Sequence, residues 1–424
     1  MPTRLDWRIM NQKGGLSMNA ILIFCQEETP EQKKEMRDLL DSAGIGIARV
    51  FEQNVKAVSR STYIGKGKCE EIERFLQVDP SANVVVFSSD LSVMQARELE
   101  RRFDRRVLDR TDLILHIFLE QAQSAAARLQ IESALLRRQL NRLIGTNVHL
   151  TRQRGGVTNR GAGEKQLQLD KRLIKTRIAQ IEKELARLQK QRDTQRASRL
   201  RASVPLVALA GYTNAGKSTV MNGFLRRFHA KDAKQVLQEN RLFATLDTSV
   251  RLIEQPYGQS FLLVDTVGFL HDLPHELVRA FHSTLEDIQL ATCVLHVVDA
   301  SKPNYLDDIE ATETTLEAID AASIDRLVVF NQCDKTEIVH PAVHASQVYI
   351  SALDPGDIDF LAGQVNERLF GEWVERETKI PYSDFSRYDT LRQTARILKT
   401  EEQEDGVLVR YQIRHRLEKN IQKG

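Results

Sequence analysis

Short apolar runs alternate with amphipathic stretches through the first quarter of the chain. Residues 20–25, 46–51, 83–88 and 107–108 are compact and apolar, the pattern of strands buried on both faces. Between them, 29–42, 69–76 and 92–102 carry apolar residues every three or four positions, which predicts helices. This alternation defines an expected N-terminal α/β domain over residues 18–112. Residues 1–17 lack an apolar run and read as a disordered tail, or as an upstream start before Met18.

The period changes at residue 113. Leu115, Ala122, Leu129, Leu136 and Leu143 recur in heptads, with Ala126, Ser133 and Leu140 at the companion spacing. After a Gly-rich break, Leu167, Ile174, Ile178, Ile181, Leu185 and Leu188 resume the same seam. This is the pattern of an antiparallel two-helix coiled-coil hairpin over 113–202. Its tip, Gly155-Gly156-Val157-Thr158-Asn159-Arg160-Gly161-Ala162-Gly163-Glu164, is too polar and glycine-rich to build a core.

Beyond residue 203 the strand pattern returns at 205–210, 261–264, 293–298 and 326–330, predicting a mostly parallel sheet wound with helices over 203–371. A small C-terminal α+β domain is expected over 372–424, where Val407, Val409, Tyr411 and Ile413 alternate after an Asp405-Gly406 turn. The fold class is therefore α/β and multidomain.

The first strand of the 203–371 domain feeds into Gly211-Tyr212-Thr213-Asn214-Ala215-Gly216-Lys217-Ser218, which fits the phosphate-cradling pattern G-x-x-x-x-G-K-[ST]. Backbone N–H groups of such a loop turn onto phosphates. Lys217 would reach the β- and γ-phosphates, Ser218 would ligate Mg²⁺, and Thr219 adjoins them. Asp265-Thr266-Val267-Gly268 closes a later strand, where an Asp serves the Mg²⁺ shell and a Gly N–H meets the γ-phosphate. Between the two, Phe243 and Thr245 lie in a candidate switch loop, Thr245 as a metal ligand. Lys217, Thr245 and Gly268 are the candidate catalytic residues; Ser218, Thr245 and Asp265 are the candidate metal ligands.

Asn331-Gln332-Cys333-Asp334 follows a buried strand, at the place of a base reader. An Asp334 carboxylate accepts from both N–H donors of guanine, and adenine offers neither. Ser351-Ala352-Leu353 fits the last loop of such domains, with the Ala352 N–H aimed at the guanine oxygen. The ordered set predicts a P-loop GTPase with GTP as substrate. Phe269 stands where related enzymes place the glutamine that orients the attacking water. A phenyl ring cannot do so, which predicts slow intrinsic hydrolysis completed by a partner; a plain core phenylalanine is the alternative reading.

A net charge of +2 hides a strong segregation. Residues 128–201 hold 19 Lys/Arg against 6 Asp/Glu, leaving −11 for the rest of the chain. This segregation points to one segment that contacts a polyanion; a solvated coiled coil with a floppy connector is the alternative reading. Four scattered cysteines (Cys25, Cys69, Cys293, Cys333) without a C-x-x-C pair argue against disulfides or zinc and for a cytoplasmic location. No apolar run is long enough to span a membrane, so an integral membrane protein is not expected, and peripheral membrane association stays open. Tyr63-Ile64-Gly65-Lys66-Gly67-Lys68 is a weak second candidate phosphate loop beside a plain turn.

The string Asp265-Thr266-Val267-Gly268-Phe269-Leu270, continued by Asp272-Leu273-Pro274-His275, Leu277-Val278, Ala280-Phe281 and Thr284-Leu285, resembles the HflX family of ribosome-associated GTPases, within the class that holds the Obg and TrmE types. Gly65-Lys66-Gly67-Lys68, Val107-Leu108-Asp109-Arg110-Thr111, Arg152-Gln153-Arg154-Gly155-Gly156 and Arg160-Gly161-Ala162-Gly163-Glu164 are similar to it as well. The resemblance implies a monomer that binds the large ribosomal subunit and its rRNA, not DNA, and splits or rescues stalled ribosomes under stress. It places the hairpin tip, with Arg152, Arg154 and Arg160, on rRNA, and Asn214 where relatives hold an activating K⁺. Departures are Gln332 for the usual lysine of the base reader, no Pro after Asp247 in switch I, and Asn159, Ala162, Lys165 and Gln168 around the tip. Outside the resemblance, an ATP-dependent RNA remodeller and a nucleotide-gated protein scaffold remain the competing function classes.

Overall fold

A computed structural model of the 424-residue chain describes residues 18–55, 57–122, 124–144, 160–201, 204–228, 249–266, 268–269 and 287–418. It divides into two compact units, Met1–Gln189 and Lys190–Gly424.

The first unit is built on β1 (Met18–Phe24), β2 (Ile45–Glu52), β3 (Ala82–Phe87) and β4 (Arg106–Leu108), in the order β2-β1-β3-β4. Every pair is parallel, as helical crossovers require. The crossover helices Pro30–Ser42 and Val93–Phe103 open on capping boxes, Thr29 with Gln32 and Ser92 with Gln95. Ile21, Ile23, Val85 and Phe87 from the strands pack with Ile72, Leu76 and Leu99 from the helices.

One element differs from the sequence reading. The heptad seam is not continuous from Leu115. Helix Arg110–Gln121 stops at Ala122, whose ψ of 117° is extended, and a new helix runs over Ala125–Ile144. The physical reason is that Arg110–Gln121 is buried on nearly all sides. Leu113, Ile114, Leu115, Ile117 and Phe118 are fully buried, so this helix belongs to a core and not to a two-helix seam. The seam proper joins Leu129 and Leu136 to Ile174, Ile178 and Ile181 of helix Arg160–Arg201.

The root of the hairpin is fixed by a buried ion cluster. Arg138 donates to Asp109 Oδ2 at 2.6 Å and to Asp112 Oδ1 at 3.0 Å, and Arg142 pairs with Asp112. Asp109 also caps helix Arg110–Gln121. Burial, reinforced by the neighbouring Asp112, pushes the Asp109 carboxyl up to about 7 against the pull of Arg138.

The second unit holds a seven-stranded sheet made of β5 (Leu206–Ala210), β6 (Ser249–Ile253), β7 (Phe261–Asp265), β8 (Cys293–Asp299), β9 (Asp325–Asn331), β10 (Ala342–His344) and β11 (Gln347–Tyr349). The order is β10-β11-β9-β8-β5-β7-β6, parallel throughout except for the antiparallel edges β10 and β6. Val207, Leu209, Leu263, Leu295 and Val329 face helices Lys217–Phe228 and Pro355–Phe370 across one core. Strand order reverses beside β5, so the carboxyl ends of β5, β7, β8 and β9 surround one crevice.

A smaller antiparallel sheet follows, β12 (Trp373–Pro381), β13 (Arg396–Gln403) and β14 (Gly406–Arg414), with β14 central. Buried Arg414 ties it to the larger sheet. Its guanidinium donates to Gln259 Oε1 at 3.1 Å and to the Gly371 carbonyl at 2.9 Å, and stacks 4.6 Å from the Trp373 ring.

Candidate nucleotide site

The phosphate loop leaves β5 through two glycines that no other residue could replace. Gly211 has φ 145°, and a Cβ there would lie 2.2 Å from the Val297 carbonyl oxygen. Gly216 has φ 94°, and its Cβ would meet Asn331 Nδ2 at 2.2 Å. Between them Asn214 is exposed in the left-handed region, φ 63°. Tyr212, Thr213 and Ala215 are buried, and the Thr213 hydroxyl carries no hydrogen bond among the described residues.

Lys217 opens the following helix and is buried. Its ammonium donates to the Gly211 carbonyl at 2.9 Å and to the Tyr212 carbonyl at 2.8 Å. Burial pulls it down to about 8, with Asp265 pulling the other way and Lys302 adding to the depression. Lys302 itself pairs with Asp308 at 2.7 Å and lies 4.5 Å from the Tyr212 ring centroid.

Ser218 donates from Oγ to Asp265 Oδ2 at 2.8 Å, and Asp265 is fully buried at the end of β7. A hydroxyl and a carboxylate held this close are hard oxygen donors of the kind a Mg²⁺ ion takes. Thr219, one residue on, is half-buried in the same helix. Next to Asp265, the buried Thr266 hydroxyl donates to the Leu209 carbonyl at 2.6 Å and pins β7 to β5.

Gly268 lies against the phosphate loop. A Cβ there would stand 2.7 Å from Thr213 Cγ2 and 3.1 Å from Lys217 Nζ. Phe269 then pairs with the loop strand-fashion, its N–H donating to the Gly211 carbonyl at 3.1 Å and its carbonyl accepting from the Thr213 N–H at 2.9 Å. Its ring is 1% exposed. The core reading of Phe269 holds, and the phenyl group still offers nothing to a water molecule.

At the end of β9, Asn331 joins both walls of the crevice. Its Nδ2 donates to the Ala215 carbonyl at 3.0 Å, and its Oδ1 accepts from the Ala352 N–H at 2.9 Å. The Ala352 amide, expected to face a guanine oxygen, is thus spent on Asn331. Asp334 is exposed, and its carboxylate carries no hydrogen bond within the described residues. Ser351 is buried, and its N–H donates to Asp357 Oδ2 at 2.6 Å, which also meets His340 Nδ1 at 2.6 Å. Asp357 therefore sets the last loop, although no spacing pattern in the sequence marks it.

Phe243 and Thr245 lie outside the described residues, as do Arg152 and Arg154 of the hairpin tip. Arg160 is the first residue of helix Arg160–Arg201. The Gly65-Lys66-Gly67-Lys68 stretch is the start of helix Lys66–Val78, with Lys68 paired to Glu71 at 2.7 Å. Among the described residues no helix is long and apolar enough to cross a membrane, and no cluster of His, Cys, Asp or Glu could hold a metal ion. All four cysteines are buried and free.

Three family models match consecutive parts of the chain: "GTP-binding GTPase N-terminal" over residues 30–119, "GTP-binding GTPase Middle Region" over 121–199, and "50S ribosome-binding GTPase" over 206–332. GTPase HflX of Escherichia coli is 39% identical over 392 residues, covering 91% of this chain and 90% of that one. GTPase HflX of Caldanaerobacter subterraneus subsp. tengcongensis is 36% identical over 393 residues, 93% of this chain and 90% of that one. Among solved structures, "crystal structure of SsGBP and GDP complex" aligns with 82% of this chain and 98% of that chain, at 21% identity and a TM-score of 0.47.

Proposed function

The chain belongs to the HflX family of GTPases, and from that premise we propose that it binds the large ribosomal subunit in the cytoplasm and uses GTP to split or rescue stalled ribosomes. The observation that carries the nucleotide part is the meeting of four elements at the carboxyl ends of β5, β7 and β9: the phosphate loop, Asp265, Gly268 and the Asn331–Asp334 turn. The matched "50S ribosome-binding GTPase" model and the strongly basic hairpin support the partner.

In this reading Gly211 to Thr219 wrap the phosphates, and Lys217 neutralises charge developing on the transferred phosphoryl group. Mg²⁺, held by Ser218 and Asp265 with Thr245, would supply electrostatic stabilisation at the same oxygens. The Gly268 N–H senses the γ-phosphate. Asp334 reads guanine, with Asn331, Ser351 and Ala352 as the wall behind it. Asn214, exposed at the loop crest, is the K⁺ candidate. Phe269 leaves the attacking water without a protein partner, so hydrolysis is slow until the ribosome completes the site. Arg152, Arg154 and Arg160 meet rRNA phosphates.

Co-sedimentation with purified ribosomal subunits tests partner and switch together. Binding to the large subunit in non-hydrolysable GTP and release in GDP are expected. Equal binding in both nucleotides, or none, would refute the reading.

A further inference from the structure

The base-reading turn carries Gln332 where a lysine is usual, and a second residue stands beside it. Gln332 adopts φ 65°, a left-handed backbone that is uncommon outside glycine. The chain then folds into the short helical turn Cys333–Lys335, closed by the Lys335 N–H donating to the Gln332 carbonyl at 3.0 Å. This brings the Lys335 side chain back over the glutamine. Its ammonium donates to Gln332 Oε1 at 2.5 Å, while Gln332 Nε2 donates to the Asn214 carbonyl of the phosphate loop at 3.0 Å.

We propose that Gln332 and Lys335 together replace the missing lysine, which makes Lys335 an affinity-determining residue for guanine nucleotides in this chain. The inference rests on the assignment of Asn331–Asp334 as the base reader. A lysine at position 332 would offer the Asn214 carbonyl a charged donor, whereas a neutral amide alone offers a weaker one. An amide whose oxygen is held by a cation is polarised and donates more strongly through its nitrogen. The ammonium, the amide and the loop carbonyl thus form one relay. It runs beside the Asn331–Ala215 bond, so two successive loop carbonyls, Asn214 and Ala215, are held from two successive residues of the turn. Lys335 is a positioning residue here: it acts on the loop through Gln332. Because Lys335 is exposed, the relay weakens with salt.

The test is equilibrium binding of fluorescently labelled GDP to the full chain and to Lys335→Ala, Gln332→Lys and the double variant. Lys335→Ala should weaken binding about five-fold at low salt, the upper end for an exposed charged contact, without changing the melting temperature. In the Gln332→Lys background the same change should have less than about a two-fold effect, because the relay is no longer needed. Unchanged affinity in the native background, or an equal loss in both backgrounds, would overturn the relay. If the native chain bound no labelled GDP, the guanine-nucleotide reading would fall, and the relay with it.

Discussion

Asn331 holds the Ala215 carbonyl at 3.0 Å, and through this bond the end of β9 is tied to the phosphate loop. The same side chain accepts from Ala352, so one amide sets three segments of the crevice. Replacing Asn331 by Ala removes both bonds and leaves buried polar partners unsatisfied, at about 1–3 kcal/mol each. Labelled-GDP affinity is expected to fall at least about ten-fold, together with a lower melting temperature. Gly216→Ala should abolish binding outright, since its Cβ would strike Asn331 Nδ2. Near-native affinity in either variant would contradict the geometry.

The depressed Lys217 makes nucleotide affinity pH-dependent. Free protein loses the ammonium proton through about 8, and phosphate binding must restore it. Affinity should be flat below pH 7 and about ten-fold weaker at pH 9, with proton uptake visible by calorimetry in buffers of different ionisation enthalpy. Stability of the nucleotide-free chain runs the other way. The unfolded lysine keeps its proton to its ordinary 10.5, so folding stability rises with pH between about 8 and 10.5. Affinity that stayed constant from pH 7 to 9 would count against a buried, charge-carrying Lys217.

Phe269→Gln asks whether the missing water-orienting side chain could simply be restored. The ring is buried, so glutamine there loses apolar packing and buries an amide, at about 3 kcal/mol or more. The expected result is a less stable protein whose intrinsic GTP hydrolysis is no faster. A faster intrinsic rate with unchanged stability would contradict the reading of Phe269 as a core ring whose replacement cannot supply a water-orienting group.

Two neighbouring arginines on the hairpin differ in what they hold. Arg137 pairs with Glu182 at the surface, and its loss should cost under about 1 kcal/mol. Arg138 lies between buried Asp109 and Asp112, and Arg138→Ala leaves buried Asp109 without its cation while Asp112 keeps Arg142, at about 3 kcal/mol. Denaturant unfolding of the two variants checks the contrast, and equal effects would contradict the buried cluster.

Much of this was legible in the sequence because local rules decide it. Apolar runs located β1, β3, β5, β8 and β9 nearly to the residue, and Ser92 marked a helix start by its chemistry. The break at Ala122 was hidden, since heptad spacing counts positions and cannot register one extended ψ. The five residues of β6 carry too little alternation to stand out, and they are a strand only because β7 pairs with them. Within the site, glycines and motif residues declared themselves by their types. Asp357, Thr266 and Lys335 did not, because each acts through a bond that exists only after the chain has folded. Phe269 admitted two readings from sequence, and burial settled its ring into the core.

Hydrolysis that depends on the ribosome is tested by the GTP turnover rate of the full chain with and without purified large ribosomal subunits. Slow turnover alone and a rate raised at least about ten-fold by large subunits are expected. That stimulation should be lost when Arg152, Arg154 and Arg160 are replaced together by glutamine. A rate unchanged by large subunits would contradict that dependence.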